Sequence, residues 1–336
     1  GAPRMHERPL GTLLRALEEL GAGIACEAAP GCAPVLLEAR GLNGGEIVLS
    51  MDESSQYLSG LLLAAPLCRS ALRVVIGGRK AVSWPYISLT LQTLVAFGIA
   101  FSVEQLKDGS WAECDFRALA SPKPGEVRIS VVPGAYRAGE HHVEGDWSGA
   151  SCLLAAGAVG AKPIYVQGLC ADSAQGDRVI VDILRSMGAL VAKEPDGVSV
   201  SPSALHGVDV NMGDCPDLVP AVAALAAFAS GETRIRGVAH LRLKESDRIS
   251  APAMELRKMG IRVDEKDDGL VIYGRGEAPD PSGCLFEAHN DHRIAMSLAL
   301  FGLHGRQVAL DHPETVRKSF PAFWDVWEQV RCPSEK

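Results

Sequence analysis

Residues 217–230 read DLVPAVAALAAFAS, and this stretch decides the fold. From Val219 to Phe228 every side chain is apolar, so the helix that we predict here has no polar face. A helix that is apolar all round must lie inside a domain or a membrane. The run Val219–Ala229 is too short for a bilayer, which takes about 20 residues. We therefore predict a fully buried helix.

Three further stretches have the same character. They are SSQYLSGLLLAAPL (54–67), DWSGASCLLAAGAV (146–159) and DHRIAMSLALFGL (291–303). The four stretches begin 92, 71 and 74 residues apart, at positions 54, 146, 217 and 291. A short β-rich segment that adjoins a glycine follows each of them. This spacing indicates an internal repeat.

A second kind of helix alternates with the first. It is amphipathic and ends in an apolar residue followed by a glycine, at Gly21, Gly98, Gly188 and Gly260. Glycine there is typical of a helix C-cap. Asp-Gly pairs at 108–109, 196–197 and 268–269 follow three of these helices and predict β-hairpins. The predicted unit is a buried helix, a strand, an amphipathic helix and a hairpin, and a last amphipathic stretch, SFPAFWDVWEQV (319–330), closes the chain.

The repeat count suggests two domains, as does the length of 336 residues with 47% apolar side chains. Three units follow Asp146, and one and a half precede it. We place the boundary in the polar segment GEHHVEG (139–145), which divides the chain into residues 1–143 and 144–336. Repeats bury their faces against neighbours, so we expect the first domain to lack an upstream portion.

Composition excludes several classes of partner. A net charge of −8 argues against a nucleic-acid or anionic-membrane surface. The nine cysteines include no C-x-x-C, which favours reduced thiols in a cytoplasmic protein over disulfides or a zinc site. The histidines at 141–142, 289 and 292 lack a metal-site pattern, so we expect no metal. The chain contains no Walker, G-x-G-x-x-G or G-x-S-x-G motif.

Polar residues stand at the start of every buried helix: Ser54, Asp146, Asp217 and Asn290-Asp291. Repeated units should bring these N-termini together, where free N–H groups and helix dipoles favour anions. The hydroxyls of Ser54 and Ser55 and the amide of Gln56 would suit phosphate. Simple N-capping explains the same residues equally well.

Five cations favour the anion hypothesis: Arg4, Lys244, Arg248, Arg293 and Lys318. Arg293 lies just inside a helix N-terminus, where its charge opposes the dipole, and a bound anion would resolve that conflict. The alternative is that each cation pairs with a nearby carboxylate. That alternative is preferable for one residue alone, but five such cases together favour an anion site.

Asp217 and Glu245 are the best candidates for acid–base chemistry. A carboxylate at a buried helix start, among cations, can accept a proton from a hydroxyl. Two other interpretations stay open, because Asp217 would also serve as an N-cap and Glu245 as an exposed ion pair with Lys244 or Arg248.

Seven segments, in order and over essentially the whole chain, resemble the 5-enolpyruvylshikimate-3-phosphate synthase (3-phosphoshikimate 1-carboxyvinyltransferase) family. They are SSQYLSGLLLAAPL, SWPYISLT, VEGDWSGAS, CPDLVPAVAALAAFASGET, LKESDRI, NDHRIAMSLAL and RKSFPAFW. The combination of LKESDR with NDHR is specific, because the related UDP-N-acetylglucosamine enolpyruvyl transferases share the fold without it. The resemblance implies an α/β, enolpyruvyl transferase-like fold of two domains. Parallel buried helices are sheathed by sheets in each, an inside-out α/β barrel, and the first domain is incomplete here.

The resemblance also implies a reaction. Shikimate 3-phosphate and phosphoenolpyruvate condense through a tetrahedral ketal to 5-enolpyruvylshikimate 3-phosphate and phosphate, in aromatic amino-acid biosynthesis. No cofactor or metal is implied. The implied partners are these two small molecules, with a missing N-terminal segment as a further possibility, and no nucleic acid or membrane. A cytoplasmic monomer is expected.

Site residues carry over by position. Shikimate 3-phosphate would be held by Ser54, Ser55, Gln56, Ser83, Tyr86, Asp217, His240 and Lys244. Phosphoenolpyruvate would be held by Arg4, Gln56, Arg248, Arg293 and Lys318. Asp217 would take the 5-hydroxyl proton, Glu245 would move the proton at the methylene carbon, and Lys318 would assist the departure of phosphate.

The chain departs from the family pattern in three places. Trp84 replaces a common lysine, and His240 stands where many members have asparagine. The family's Lys-Ser…Arg and Gly-Asn-Ala-Gly-Thr…Arg segments do not occur in these 336 residues. Two alternatives therefore remain: a fragment that binds ligand or a partner without catalysis, and a transferase for another hydroxylated anion.

Overall fold

The computed structural model describes residues 3–119 and 122–331. The chain folds into two compact units, an N-terminal unit of Gly1–His142 and a C-terminal unit of Val143–Lys336. Each unit combines helices with mostly antiparallel sheets, so the α/β class expected from the sequence is confirmed. The predicted reduced thiols include Cys332, which lies outside the described residues; the eight described cysteines are free thiols.

The N-terminal unit contains three α-helices in its described part: α1 (Gly11–Glu19), α2 (Gln56–Ala64) and α3 (Trp84–Ala96). Its strands are β1 (Gly23–Cys26), β2 (Val35–Glu38), β3 (Gly45–Ser50), β4 (Leu72–Gly77), β5 (Phe101–Lys107), β6 (Ser110–Glu113) and β7 (Val127–Val131). Strands β1 and β2 form an antiparallel pair, and the other five form a sheet in the order β3-β4-β7-β5-β6. Within that sheet β3 and β4 are parallel, and the remaining pairs are antiparallel.

The C-terminal unit contains α4 (Trp147–Val159), α5 (Ile180–Ser186), α6 (Val219–Phe228), α7 (Ser250–Lys258), α8 (His292–Leu298) and α9 (Phe323–Arg331). Its strands are β8 (Ile164–Gln167), β9 (Leu190–Glu194), β10 (Gly197–Ser201), β11 (Asp209–Asn211), β12 (Ser230–Arg236), β13 (Arg262–Lys266), β14 (Gly269–Arg275), β15 (Leu285–Phe286) and β16 (Ala309–Leu310). They form three sheets, in the orders β8-β10-β9, β11-β12-β14-β13 and β15-β16.

The buried helices of the C-terminal unit match the prediction. All 13 residues of α4 and all ten of α6 are buried, and in α8 every residue but Arg293 is buried. Helix α6 packs against both α4 and α8. Each of these helices thus finds apolar partners on every side, as its sequence requires.

Helix α2 is an exception, and the prediction of full burial is wrong for it. Tyr57, Leu58, Leu61 and Leu62 are buried, but 43% of Leu63 is exposed. The physical reason is the number of neighbours. In the C-terminal unit three such helices cover one another, whereas α2 packs chiefly against the amphipathic α3 in the described part of its unit.

The predicted chain reversals are present. Gly21, Gly98, Gly188 and Gly260 follow α1, α3, α5 and α7 with φ of 98°, 73°, 96° and 70°, the left-handed conformation of a C-cap glycine. The three Asp-Gly pairs join β5 to β6, β9 to β10 and β13 to β14. The Asp-Gly pairs and the glycines after the helices were thus reliable local signals for these hairpins and caps.

Small residues let the buried helices approach their sheets closely. A Cβ at Gly157 of α4 would lie 2.7 Å from the Val200 carbonyl oxygen of β10, closer than such atoms pack. The helix axis is therefore fixed against the sheet by backbone contact, and the position of its N-terminus is fixed with it.

Two properties of the described residues bear on the expected partners. In ranges 3–119 and 122–331, no helix has both the length and the apolar character to cross a bilayer. Within the same ranges, no group of three or more His, Cys, Asp and Glu residues is arranged to hold a metal ion.

Candidate anion-binding site

Three of the four helix starts that the repeat predicted to converge meet in the C-terminal unit. Asp217 lies in a 3₁₀ turn, Pro216–Leu218, that leads into α6, and Arg293 lies in the first turn of α8. Arg293 Nη2 donates to Asp217 Oδ2 at 2.9 Å, and Arg293 Nη1 donates to the hydroxyl of Ser148 in the first turn of α4. One guanidinium group thus links all three helix starts.

A second guanidinium group, that of Arg248, is almost completely enclosed, with 2% of its side chain exposed. Arg248 Nη1 donates to Asp217 Oδ1 at 2.7 Å, and Arg248 Nη2 lies 3.2 Å from Glu245 Oε2. Its Nε and Nη2 donate to Asp291 at 2.7 and 3.1 Å. A buried charge of this kind is stable only with such close partners.

Asp291 is the fully buried anchor of the arrangement, with 0% exposure. Besides accepting from Arg248, it caps α8 through the backbone N–H of Arg293 at 3.0 Å. Its Oδ2 also accepts from the Ser246 hydroxyl at 3.0 Å. One carboxylate therefore holds the guanidinium group of Arg248 and the backbone of Arg293.

Glu245 and Lys318 complete the group. Lys318 Nζ donates to Glu245 Oε1 at 2.6 Å, with 55% of Lys318 and 22% of Glu245 exposed. We call the set Asp217, Glu245, Arg248, Asp291, Arg293 and Lys318 the Asp217 cluster. Its solvent-facing side carries Lys318, Glu245 and Asp217, while Arg248 and Asp291 lie beneath.

The cations keep the carboxylates of the cluster ionised. Burial alone would raise the pKa of Asp217, but Arg293 and Arg248 beside it lower that pKa below its usual value. Burial likewise opposes the ionisation of Glu245, yet Arg248 and Lys318 hold its pKa well below the ordinary range. Both groups are therefore proton acceptors at neutral pH in this state.

His292 is neutral in the same surroundings. Burial lowers its pKa to about 4, and Arg293 and Arg248 nearby act in the same direction against the opposing charge of Asp291. Among the described residues, its Nδ1 has no hydrogen-bond partner, and Asp291 Oδ1 is 3.7 Å away. The imidazole thus adds no positive charge to the cluster at neutral pH.

Two further predicted residues lie on the segment that carries Glu245. His240 is buried in the 3₁₀ helix Ala239–Leu243, and Lys244 is half-buried directly after it. The charge of Lys244 lowers the pKa of Asp217, which places Lys244 near the cluster.

The alternatives left open by the sequence can now be compared with the geometry. Asp217 does not cap α6, whose N-cap position is Leu218; its carboxylate binds the two arginines instead. Glu245 does pair with Arg248, in a mostly enclosed position rather than an exposed one. The sequence left open that each cation simply pairs with a nearby carboxylate. Arg248, Arg293 and Lys318 each have such a partner in the structure.

The other predicted residues lie in the N-terminal unit, at the starts of two packed helices. Ser54 and Ser55 are buried directly before α2, and Gln56 is the exposed first residue of that helix. The Ser54 hydroxyl accepts from the backbone N–H of Gln56 at 3.2 Å. The N-cap residue Ser55 makes no side-chain capping bond to the described residues. Its hydroxyl is therefore not explained by capping.

The start of α3 has a similar character. Ser83 is buried at the N-cap with φ of 57°, and Tyr86 is half-buried in the first turn. The hydroxyls of Thr90 on α3 and Ser59 on α2 share a hydrogen bond of 2.8 Å, which joins the two helices. Trp84, at the position of the common family lysine, is a core residue with 1% exposure.

Arg4, near the chain start, pairs with Glu7 at 2.7 Å and is 38% exposed.

The sequence analysis did not identify Ser148 or Ser246 as members of the site. For Ser148 a signal existed, because it stands two residues after Asp146 just as Arg293 stands two residues after Asp291. Aligning the repeats position by position would have placed Ser148 beside the other helix starts. For Ser246 we find no comparable signal.

The fold is that of the carboxyvinyl (enolpyruvyl) transferases. The structure is similar to that of EPSP synthase from Acinetobacter baumannii, with a TM-score of 0.70 and 27% sequence identity, covering 98% of this chain and 72% of that one. The 3-phosphoshikimate 1-carboxyvinyltransferase of Syntrophobacter fumaroxidans is 40% identical over 333 residues, 98% of this chain and 73% of that protein. Its counterpart from Natronomonas pharaonis is 39% identical over 330 residues, 97% of this chain and 72% of that protein.

The family model described as EPSP synthase (3-phosphoshikimate 1-carboxyvinyltransferase) matches residues 1–112 and 116–327. The chain therefore belongs to the EPSP synthase family, as the sequence motifs indicated.

Proposed function

We propose that this chain transfers the enolpyruvyl group of phosphoenolpyruvate to the 5-hydroxyl of shikimate 3-phosphate and releases phosphate. The observation that carries the proposal is the Asp217 cluster itself. Cations from three separate segments, Arg248, Arg293 and Lys318, surround two ionised carboxylates that face solvent. Two anionic substrates need cations to be held together, and the reaction needs proton acceptors beside them.

Phosphoenolpyruvate binding is assigned to Arg248, Arg293 and Lys318 of the C-terminal unit. Planar guanidinium groups match carboxylate and phosphate oxygens in pairs. Arg248 is already oriented by Asp291, so little side-chain freedom is lost when it engages an anion. In the C-terminal unit, shikimate 3-phosphate is assigned to His240, Lys244 and Asp217. The N-terminal unit by itself offers Ser54, Ser55, Gln56, Ser83 and Tyr86, whose hydroxyl and amide groups can hydrogen-bond to the same kind of ligand.

In the addition step, Asp217 accepts the proton of the 5-hydroxyl. The hydroxyl oxygen forms a bond to C2 of phosphoenolpyruvate, and C3 gains a proton to become a methyl group. Asp217 is ionised at neutral pH and can receive the proton, and an anion bound to Arg248 and Arg293 offsets the charges that lower its pKa and makes it a stronger base.

Glu245 acts at C3, and its protonation depends on the ligand. In the unliganded state Arg248 and Lys318 keep its pKa too low for it to donate a proton. An anion bound to those two cations offsets their charge and raises the pKa of Glu245. Glu245 then takes up a proton from solvent and delivers it to C3 in the addition. In the elimination it removes one from the methyl group as the C2–O bond to phosphate breaks, and Lys318 neutralises the departing phosphate.

The test is phosphate release from the two substrates by the wild-type chain and by Asp217→Asn. We expect the variant to lose about 10³-fold in rate, within the range for removal of a general base. Asp209→Asn is the matched control, because Asp209 pairs with Arg236 in an exposed position of the same unit. Equal rates in wild type and Asp217→Asn would exclude Asp217 from proton transfer.

We extend the proposal to a monomeric, cytoplasmic enzyme. The reduced thiols of Cys68, Cys152 and Cys215, all buried, support a reducing location. Light scattering on the purified chain tests the monomer, and a dimer at micromolar concentration would contradict it.

A further inference from the structure

The two arginines that hold Asp217 come from segments far apart in the sequence. Arg248 lies two residues before α7, whereas Arg293 lies in the first turn of α8. Both depend on Asp291, which accepts from Arg248 Nε at 2.7 Å and from the Arg293 backbone N–H at 3.0 Å. The separation of the two guanidinium groups is therefore set by how the residues before Asp291 are held relative to α7.

A second buried carboxylate makes that connection. Glu255 lies on α7, has 1% of its side chain exposed, and takes no part in the Asp217 cluster. Its Oε2 accepts from the backbone N–H of Glu287 at 3.0 Å and from Lys258 Nζ at 2.8 Å. Its Oε1 accepts from His289 Nε2 at 2.8 Å. Two of these three donors belong to the turn that ends at Asp291.

The turn needs such a restraint. His289 and Asn290 are consecutive residues with φ of 51° and 52°, a conformation that residues with a Cβ adopt unfavourably. On its other side, Asp311 Oδ1 accepts from the backbone N–H of Ala288 at 2.7 Å. Carboxylates from two elements thus hold a backbone that would otherwise relax and move Asp291.

Burial would raise the pKa of Glu255, but its hydrogen bonds from His289 and Lys258 lower that pKa, so the group is ionised. An ionised acceptor makes stronger hydrogen bonds than a neutral one. The link between α7 and the turn is accordingly strong as well as buried.

We propose that Glu255 is a positioning residue, which ties α7 to the turn of residues 287–291 and so sets the spacing of Arg248 and Arg293 for the anionic substrate. The effect on substrate binding rests on the proposed function, whereas the structural role rests only on the contacts of Glu255. The two parts are measured separately.

The structural part is read from the Arg248 Nε–H signal in ¹H–¹⁵N NMR spectra of the full chain, assigned by its loss in Arg248→Lys. Because this proton donates to the buried Asp291, we expect a shifted, slowly exchanging signal in the wild type. Glu255→Ala should move or broaden it. Glu255→Gln should largely restore it, because the glutamine oxygen still accepts from the Glu287 N–H and its amide can donate to His289 Nε2 in the other histidine tautomer. This readout needs no substrate.

The functional part is the dissociation constant of phosphoenolpyruvate with shikimate 3-phosphate present, measured by calorimetry. We expect Glu255→Ala to weaken binding about tenfold, equivalent to about 1.4 kcal/mol, and Glu255→Gln to stay within about threefold of wild type. Leu184→Ala, a buried change on α5, is the control for a general loss of stability. It should leave the Arg248 signal and the dissociation constant unchanged.

The outcomes separate the two proposals. An unmoved Arg248 signal in Glu255→Ala overturns the positioning role, whatever the chain binds. A wild type that binds no phosphoenolpyruvate counts against the proposed function, while the signal still decides the role of Glu255. If Glu255→Ala does not fold, His289→Ala removes one donor and should produce a smaller change of the same kind; no change there would also overturn the inference.

Discussion

Lys318 Nζ lies 2.6 Å from Glu245 Oε1, although 73 residues separate the two in sequence. The pair lies at the solvent-facing side of the Asp217 cluster, directly above the buried Arg248, which also contacts Glu245. Lys318 is thus the cation of the cluster that an incoming anion can reach with least rearrangement.

Replacing Lys318 should separate activity from stability. In Lys318→Met we expect the free energy of unfolding to change by less than about 1 kcal/mol, because the lysine is 55% exposed. Phosphate release should fall by about 10²-fold, since a charge beside the leaving group is lost. Arg317→Met, the exposed neighbour of the same charge, serves as the control for both measurements. Equal rates in the two variants would remove Lys318 from the reaction.

Replacing Arg248 should be far more damaging to the fold. Arg248→Met leaves the buried Asp291 without its guanidinium partner, and we expect about 3–5 kcal/mol of destabilisation in urea titrations. Arg236→Met breaks only an exposed pair and should cost less than about 1 kcal/mol. The double variant Arg248→Met/Asp291→Asn should be more stable than Arg248→Met alone, because asparagine carries no charge and still accepts from the backbone N–H of Arg293 at the start of α8. A further loss of stability in the double variant would contradict this account.

The lowered pKa of His292 should make the stability of the fold depend on pH. Its folded pKa of about 4 lies below the usual 6.5, so the unfolded chain binds a proton first as the pH falls. The stability that neutral His292 provides is complete above about pH 6.5 and is lost between there and pH 4, with about 2 kcal/mol gone by pH 5. We expect the free energy of unfolding of His292→Gln to vary less over that window. Parallel pH curves for wild type and variant would contradict the lowered pKa.

The close contact at Gly157 should make any larger residue there destabilising. Gly157→Ala places a methyl group 2.7 Å from the Val200 carbonyl oxygen and should destabilise the C-terminal unit by about 1–3 kcal/mol. Gly60→Ala is the matched control, because no described atom lies within 4 Å of a Cβ there and alanine favours the α2 helix by up to about 1 kcal/mol. Thermal melts of the two variants should therefore shift in opposite directions.

The buried helices were predictable because their information is local. A stretch such as Val219–Phe228 has no polar face in any environment, so its burial follows from its own residues. The exposure of Leu63 on α2 could not be predicted in this way, since burial of that face depends on which other helices surround it.

The gathering of candidate residues was predictable, but their pairing was not. Helix starts and cations predicted that Asp217, Arg248 and Arg293 lie together, as they do. The sequence, however, places Asp247 immediately before Arg248. In the structure Asp247 instead binds Arg242 at 2.9 Å, and Arg248 reaches Asp291 and Asp217. Adjacent side chains of an irregular segment point to different sides, and only tertiary structure determines which partner each one finds.

The complete enclosure of α4 and α6 has a consequence for how such a chain can change over generations. Each helix has a side chain of the site at its start, Ser148 in one case and Asp217 in the other. A volume change that shifts the helix along its axis therefore also moves a polar atom of the site. Substitutions that adapt the core to heat or cold would also retune the chemistry, and drift in the interior is restricted to exchanges that preserve both size and helix position.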